Sequence, residues 1–178
     1  MPLPSHDVFI SHSTSDAALA QAVCGELEGA GIRCWIAPRD ILPGQTWSGA
    51  IVAGIDGSRV VIVVLSAQAG ESVEVLREVE LASRRRRTVV AVRVEDVTPS
   101  GDLAYFLSAT QWFDAFPPPV QPRLARLVEV VSALLGFEAP VSPEQEPAAP
   151  EPAEVDLDDF GRSGPRRAGF IDRLLEDR

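Results

Sequence analysis

Val60-Val61-Ile62-Val63-Val64-Leu65 is the stretch that decides the fold. A strand with one wet face alternates apolar and polar residues. A strand covered on both faces has no such need and reads as a continuous β-branched run. Thr88-Val89-Val90-Ala91-Val92-Arg93-Val94 repeats the pattern. Two strands of this kind predict a parallel sheet held between layers of helices. The first run is also the longest purely apolar one in the chain, far short of the roughly 20 residues that cross a bilayer, so no transmembrane helix is expected.

Working outward, three more segments read as strands. These are Asp7-Val8-Phe9-Ile10-Ser11, Arg33-Cys34-Trp35-Ile36-Ala37 and, more weakly, Gln111-Trp112-Phe113. Between them lie amphipathic stretches. Residues 16–29 space Leu19, Val23 and Leu27 by four, after a capping-box-like Ser13-Thr14-Ser15-Asp16 and before Gly29 and Gly31. Residues 47–58 put Trp47, Ile51 and Ile55 on one face, and residues 73–83 put Val75, Val79 and Ala82 on one face. Residues 123–135 carry Leu124, Leu127, Val128, Val131, Leu134 and Leu135 at helical spacing. A loop with a short helix, including Leu103 and Leu107, joins the fourth and fifth strands. Alternation of this kind predicts an α/β three-layer sandwich on a five-stranded parallel sheet. Its ligand crevice is expected beyond the carboxyl ends of the strands. That rim takes in residues 11–14, 38–47 and 66–74.

The chain has 178 residues and a net charge of −10, which argues against a nucleic-acid binder. The charge is unevenly placed: residues 138–159 hold eight acids and no base. We read 1–137 as one globular domain and 138–159 as an acidic, Pro/Ala-rich linker that cannot build a core. Residues 160–178 form a basic segment ending in a short apolar stripe of Phe170, Ile171, Leu174 and Leu175, suited to docking on a partner. Every base other than histidine is arginine, a bias expected of bacterial coding DNA. The opening residues lack a basic and apolar leader pattern, so no signal peptide is expected. Two cysteines, Cys24 and Cys34, are too few for a disulfide scaffold and show no metal-ligand spacing. The expected compartment is therefore the reducing cytoplasm, and no membrane partner is expected.

Several of these segments form a set. His6-Asp7-Val8-Phe9-Ile10-Ser11-His12 is followed by Arg39-Asp40-Ile41-Leu42-Pro43-Gly44, then by Val64-Leu65-Ser66, Leu76-Arg77-Glu78-Val79, Phe106-Leu107 and Trp112. The set resembles the Toll/interleukin-1 receptor (TIR) domain family, with its (F/Y)DxFISH box and its RDxxPG loop. The likeness covers residues 5 to 136 and implies a flavodoxin-like fold of the stand-alone bacterial type. Some members are association modules, and others are enzymes that cleave NAD between nicotinamide and ribose. Bacterial members often serve antiphage defence.

In the enzymes a glutamate closes a W-C-x-x-E-like pattern on the third helix. Glu74-Val75-Leu76-Arg77-Glu78 occupies it here, so the resemblance makes Glu78 the catalytic carboxylate. By residue type alone, Glu78 reads equally as a solvated glutamate among Glu71, Glu74 and Glu80. Glu74 stands where enzymatic members often carry an aromatic residue, and its charge is expected to raise the pKa of Glu78. The resemblance assigns nucleotide contacts to the turn His12-Ser13-Thr14, where the serines also suit helix capping. It assigns Arg39 to the pyrophosphate, and a surface pair with Asp40 is the other reading. It implies assembly of TIR domains through residues 38–47. NAD enters as substrate, with hydrolysis and cyclisation both open, and neither a metal nor a resident cofactor is expected. The alternative function is a non-enzymatic TIR–TIR interaction module.

Overall fold

The computed structural model describes residues 6–137. The expected linker 138–159 and terminal segment 160–178 lie outside the described residues. Five strands form one sheet: β1 (Val8–Ser11), β2 (Cys34–Ile36), β3 (Val60–Leu65), β4 (Thr88–Arg93) and β5 (Gln111–Asp114). Their order is β2-β1-β3-β4-β5 and every pairing is parallel. The three-layer α/β sandwich expected from the continuous apolar runs is therefore what the chain builds.

Side chains alternate across the sheet, and this sorts the core into two layers. Val8, Ile10, Cys34, Ile36, Val60, Ile62, Val64, Val90 and Val92 face one side. There they meet α1 (Ala17–Gly29) through Ala20, Val23, Cys24 and Leu27, and α6 (Gln121–Leu135) through Leu124, Leu127, Val131 and Leu135. Phe9, Trp35, Val61, Val63, Leu65, Val89 and Ala91 face the other side. That side is covered by α2 (Trp47–Asp56), α3 (Ala67–Glu71), α4 (Val73–Arg84) and α5 (Gly101–Leu107).

The starts of β1 and β2 are tied together by Asp7. Its carboxylate accepts from the Arg33 Nε at 2.9 Å, from Nη2 at 2.8 Å and from the Arg33 backbone N–H at 3.0 Å. The guanidinium holds the carboxyl of this buried aspartate below its ordinary range. Phe9 and Trp35, on adjacent strands, stack with centroids 4.9 Å apart. A Cβ on Gly54 of α2 would lie 2.7 Å from Trp35 Cδ2, so only glycine lets the helix settle on that ring.

Three local expectations change. Trp47, expected on the buried face of its helix, is 57% exposed, and Ala50, Gly54 and Ile55 bury that face instead. Ser13 does not cap the following helix. Its hydroxyl donates to Asp16 Oδ2 at 2.5 Å, and the chain first makes a 3-10 turn over Thr14–Asp16. Helix α3 was not foreseen. It is five residues long, too short for a period, and is started by Ser66, whose Oγ accepts from the Ala69 N–H at 3.0 Å.

Candidate active site

Ser11 is the last residue of β1, and strand alternation puts its side chain on the same face as Phe9. Helix α4 crosses that face with Val75 and Val79 buried against the sheet. Glu78 precedes Val79, so it sits at the edge of the buried stripe and reaches the carboxyl end of β1. The Ser11 hydroxyl donates to Glu78 Oε2 at 2.5 Å. Ser11 is fully buried and Glu78 is partly buried.

That setting governs the acidity of Glu78. Burial removes water from the carboxylate and is the chief cause of a pKa raised from 4.5 to about 7. The Ser11 hydrogen bond opposes the rise, and the charge of Glu74, one turn earlier, adds to it. The expected influence of Glu74 is thus present but is secondary to burial. A carboxyl whose pKa is raised by burial beside a specific partner is the kind of group that functional sites collect.

The turn after β1 continues the rim. Burial lowers the pKa of His12 and so favours the neutral imidazole, against the opposing pull of the Ile10 backbone and Asp16. Asp16 Oδ2 accepts from Ser13 Oγ at 2.5 Å and from Ser66 Oγ at 2.6 Å, tying the turn to the end of β3. Thr14 is exposed beside them. Ser66 also lines a cavity of about 250 Å³ together with Leu65, Gly70, Glu71, Thr98 and Ser100. His12, Ser13, Thr14 and Glu78 are therefore gathered at the carboxyl ends of β1 and β3.

Arg39 lies elsewhere. Its guanidinium donates to Glu28 at 2.8 and 3.0 Å, to Asp40 at 2.9 Å and to the Cys34 carbonyl at 3.0 Å. These partners hold it on the α1 side of the sheet, opposite α4. The surface pair with Asp40 is formed, and the structure does not bring Arg39 to Glu78. Trp112 is half-exposed at β5, under the Arg93 guanidinium at 5.6 Å, with Nε1 donating to the Leu107 carbonyl.

Ser11 was the residue sequence reasoning left without a role. Its signal is parity, because it shares a face with Phe9 and hence with the helix that carries Glu78.

The model of the TIR domain family matches residues 8–128. The chain belongs to the TIR domain family. Over 64 residues this TIR domain is 39% identical to NAD(+) hydrolase PdTIR of Paracoccus denitrificans, a match spanning 35% of this chain and 21% of that protein. The aligned part is thus about a fifth of that relative's length. The TIR domain of the Toll-related receptor TRR-2 from Hydra magnipapillata superposes with a TM-score of 0.61 at 22% identity, over 71% of this chain and 98% of that one. A metazoan TIR-STING receptor from C. gigas superposes with a TM-score of 0.52 at 25% identity, over 78% and 43% of the two chains. Among the described residues of the TIR domain, no helix is long and apolar enough to cross a membrane.

Proposed function

We propose that this TIR domain cleaves NAD at the bond between nicotinamide and ribose, with Glu78 as the catalytic carboxylate. The observation that carries the reading is the position of Glu78, desolvated at the rim of the sheet and hydrogen-bonded to Ser11 at 2.5 Å. Its likeness in sequence to an NAD(+) hydrolase supports the choice of substrate.

The chemistry asks for little else. In NAD the nicotinamide nitrogen is already cationic, so the ring departs as a neutral molecule when the C–N bond breaks and the bonding pair goes to nitrogen. No general acid is needed. The ribose carbon becomes oxocarbenium-like, as in glycoside cleavage. A fixed carboxylate stabilises that charge most when water is scarce around it. Water then adds to the carbon and gives up a proton, or a hydroxyl of the same molecule closes a ring. His12, Ser13 and Thr14 are the proposed contacts to ribose and phosphate. Ser13 offers chiefly its backbone, since its hydroxyl is committed to Asp16. Arg39 is left out of this assignment because its donors are engaged on the far side of the sheet.

Assembly enters through residues 38–47. Leu42 is 62% and Trp47 57% exposed there, an apolar pair that suits contact with a second TIR domain. The same pair supports the second reading, an interaction module without turnover. Concentrated protein incubated with NAD, with nicotinamide followed by chromatography, separates the two. Release by the native chain and none by Glu78→Gln is the expected result. Equal release by both variants refutes the assignment of Glu78, and no release at any protein concentration refutes the enzyme.

A further inference from the structure

Across the sheet from Glu78, the fold brings together three groups that no motif links. Cys24 and Glu28 lie one turn apart on α1, so both point to the same side of the helix. Cys34 opens β2 and, by alternation, faces α1. One ligand atom from each of Cys24, Glu28 and Cys34 lies within 4.8 Å of the other two. Both cysteines are free and buried, and Glu28 is exposed.

We propose that Cys24, Glu28 and Cys34 form a binding site for a thiophilic divalent cation, with zinc as the ion whose geometry fits. Zinc bonds sulfur at about 2.3 Å and carboxylate oxygen at about 2.0–2.2 Å, which at tetrahedral angles sets ligand atoms roughly 3.5–3.8 Å apart. From separations of up to 4.8 Å the three atoms therefore draw in by at most about 1.3 Å, within the reach of side-chain rotation. Two thiolates select zinc over the hard cations magnesium and calcium. Coordination releases two thiol protons to solvent, one of them now donated by the Cys34 thiol to the Ile32 carbonyl with sulfur and oxygen 3.5 Å apart. Water takes the fourth position on the exposed side beside Glu28.

Arg39 completes the charge balance. Its Nη1 lies 3.0 Å from Glu28 Oε2 and 3.4 Å from Cys24 Sγ. A zinc ion with two thiolates and one carboxylate carries a net charge of −1, which the guanidinium neutralises as an outer hydrogen-bond donor. Arg39 stands near the start of the loop 38–47 and donates to the Cys34 carbonyl, so an ion at this site would be felt in the loop proposed to join TIR domains. The proposal does not rest on NAD turnover, because the three ligands face α1 while Glu78 faces the other layer.

Cobalt(II) titration of the full chain, reduced and stripped of metal, tests it. The expected result is one ion per chain, with thiolate-to-cobalt charge-transfer absorption and the visible bands of a tetrahedral site, both displaced by zinc. Cys24→Ser and Cys34→Ser each cut the charge-transfer intensity by about half, and the double variant abolishes it. Glu28→Gln, at an exposed position that leaves the core intact, keeps the charge-transfer band and weakens affinity by about tenfold or more. Three results overturn the proposal: binding unaltered in both serine variants, no charge-transfer band in excess cobalt, or a Cys24–Cys34 disulfide that persists in reductant and leaves no thiolate to bind.

Discussion

Replacing Glu78 with glutamine removes a charge and keeps the shape of the side chain and an oxygen for the Ser11 hydroxyl. The carboxyl of the folded chain has a pKa of about 7 against 4.5 for the free group. Folding therefore favours the protonated form. Its contribution to stability is fully present below about pH 4.5, declines as the pH rises through about 7, and is level above that. At about 1.4 kcal/mol per tenfold change in proton affinity, the whole span is on the order of 3 kcal/mol. Part of it is already lost by pH 5, and water reaches the partly exposed carboxyl, so between pH 5 and pH 8.5 we expect roughly 1–2 kcal/mol. Urea denaturation of both proteins at the two pH values measures it. The native chain should lose that much relative to Glu78→Gln as the pH rises, leaving the glutamine variant the more stable one in alkali. Parallel pH dependence in the two proteins would refute the claim that burial governs this group.

Four further outcomes follow from the same geometry. Ser11→Ala removes the hydrogen bond that favours the carboxylate, so the rising limb of nicotinamide release against pH should move up by about one unit, while a merely structural serine would leave the midpoint in place. Gly54→Ala drives a Cβ to 2.7 Å from Trp35 Cδ2 and 3.1 Å from Phe9 Cδ2, and denaturant melts should show a loss of about 1–3 kcal/mol. Gly44 has φ +88 with open space around its missing Cβ, so Gly44→Val strains the loop by about 1–2 kcal/mol without touching the core. That variant should change the concentration dependence of nicotinamide release, and an unaltered dependence argues against assembly through this loop. A chain ending at Phe137 should keep the melting temperature of the full chain, since 138–178 is assigned no part in the core, and a lower value would move the domain boundary.

What the sequence made legible was whatever has a short period. The runs at Val60–Leu65 and Thr88–Arg93 fixed a doubly covered parallel sheet, and Leu124, Leu127, Val131 and Leu135 fixed the last helix. Trp47 misled because its spacing of four from Ile51 and Ile55 was carried back to the very start of the helix. At the first turn of α2 the helix has not yet reached the sheet, and the small residues Ala50 and Gly54 make the close contact instead. The site was legible at Glu78, through its place in a family pattern, but not at Ser11, 67 residues away in the chain. Arg39 allowed two readings because a guanidinium serves a phosphate and a carboxylate equally well. Glu28 on α1, together with Asp40 and the Cys34 carbonyl, decides which partners are at hand in this structure. Cys24 and Cys34 gave no signal, since a spacing of ten residues across a helix end and a turn follows no local rule.

Ser11 and Ile10 are neighbours in sequence and point to opposite layers of the molecule. The first strand therefore counts as well as packs. Val8, Phe9 and Ile10 are all buried, and inserting a single residue between Asp7 and Ser11 would turn the serine toward α1 and present an aliphatic side chain to Glu78. Such a frame error would alter composition hardly at all, yet it would exchange the two core faces of the strand and separate the two halves of the site. Length in this strand is therefore as constrained as its buried chemistry, and anyone grafting or recombining it should preserve the count as well as the identity of its residues.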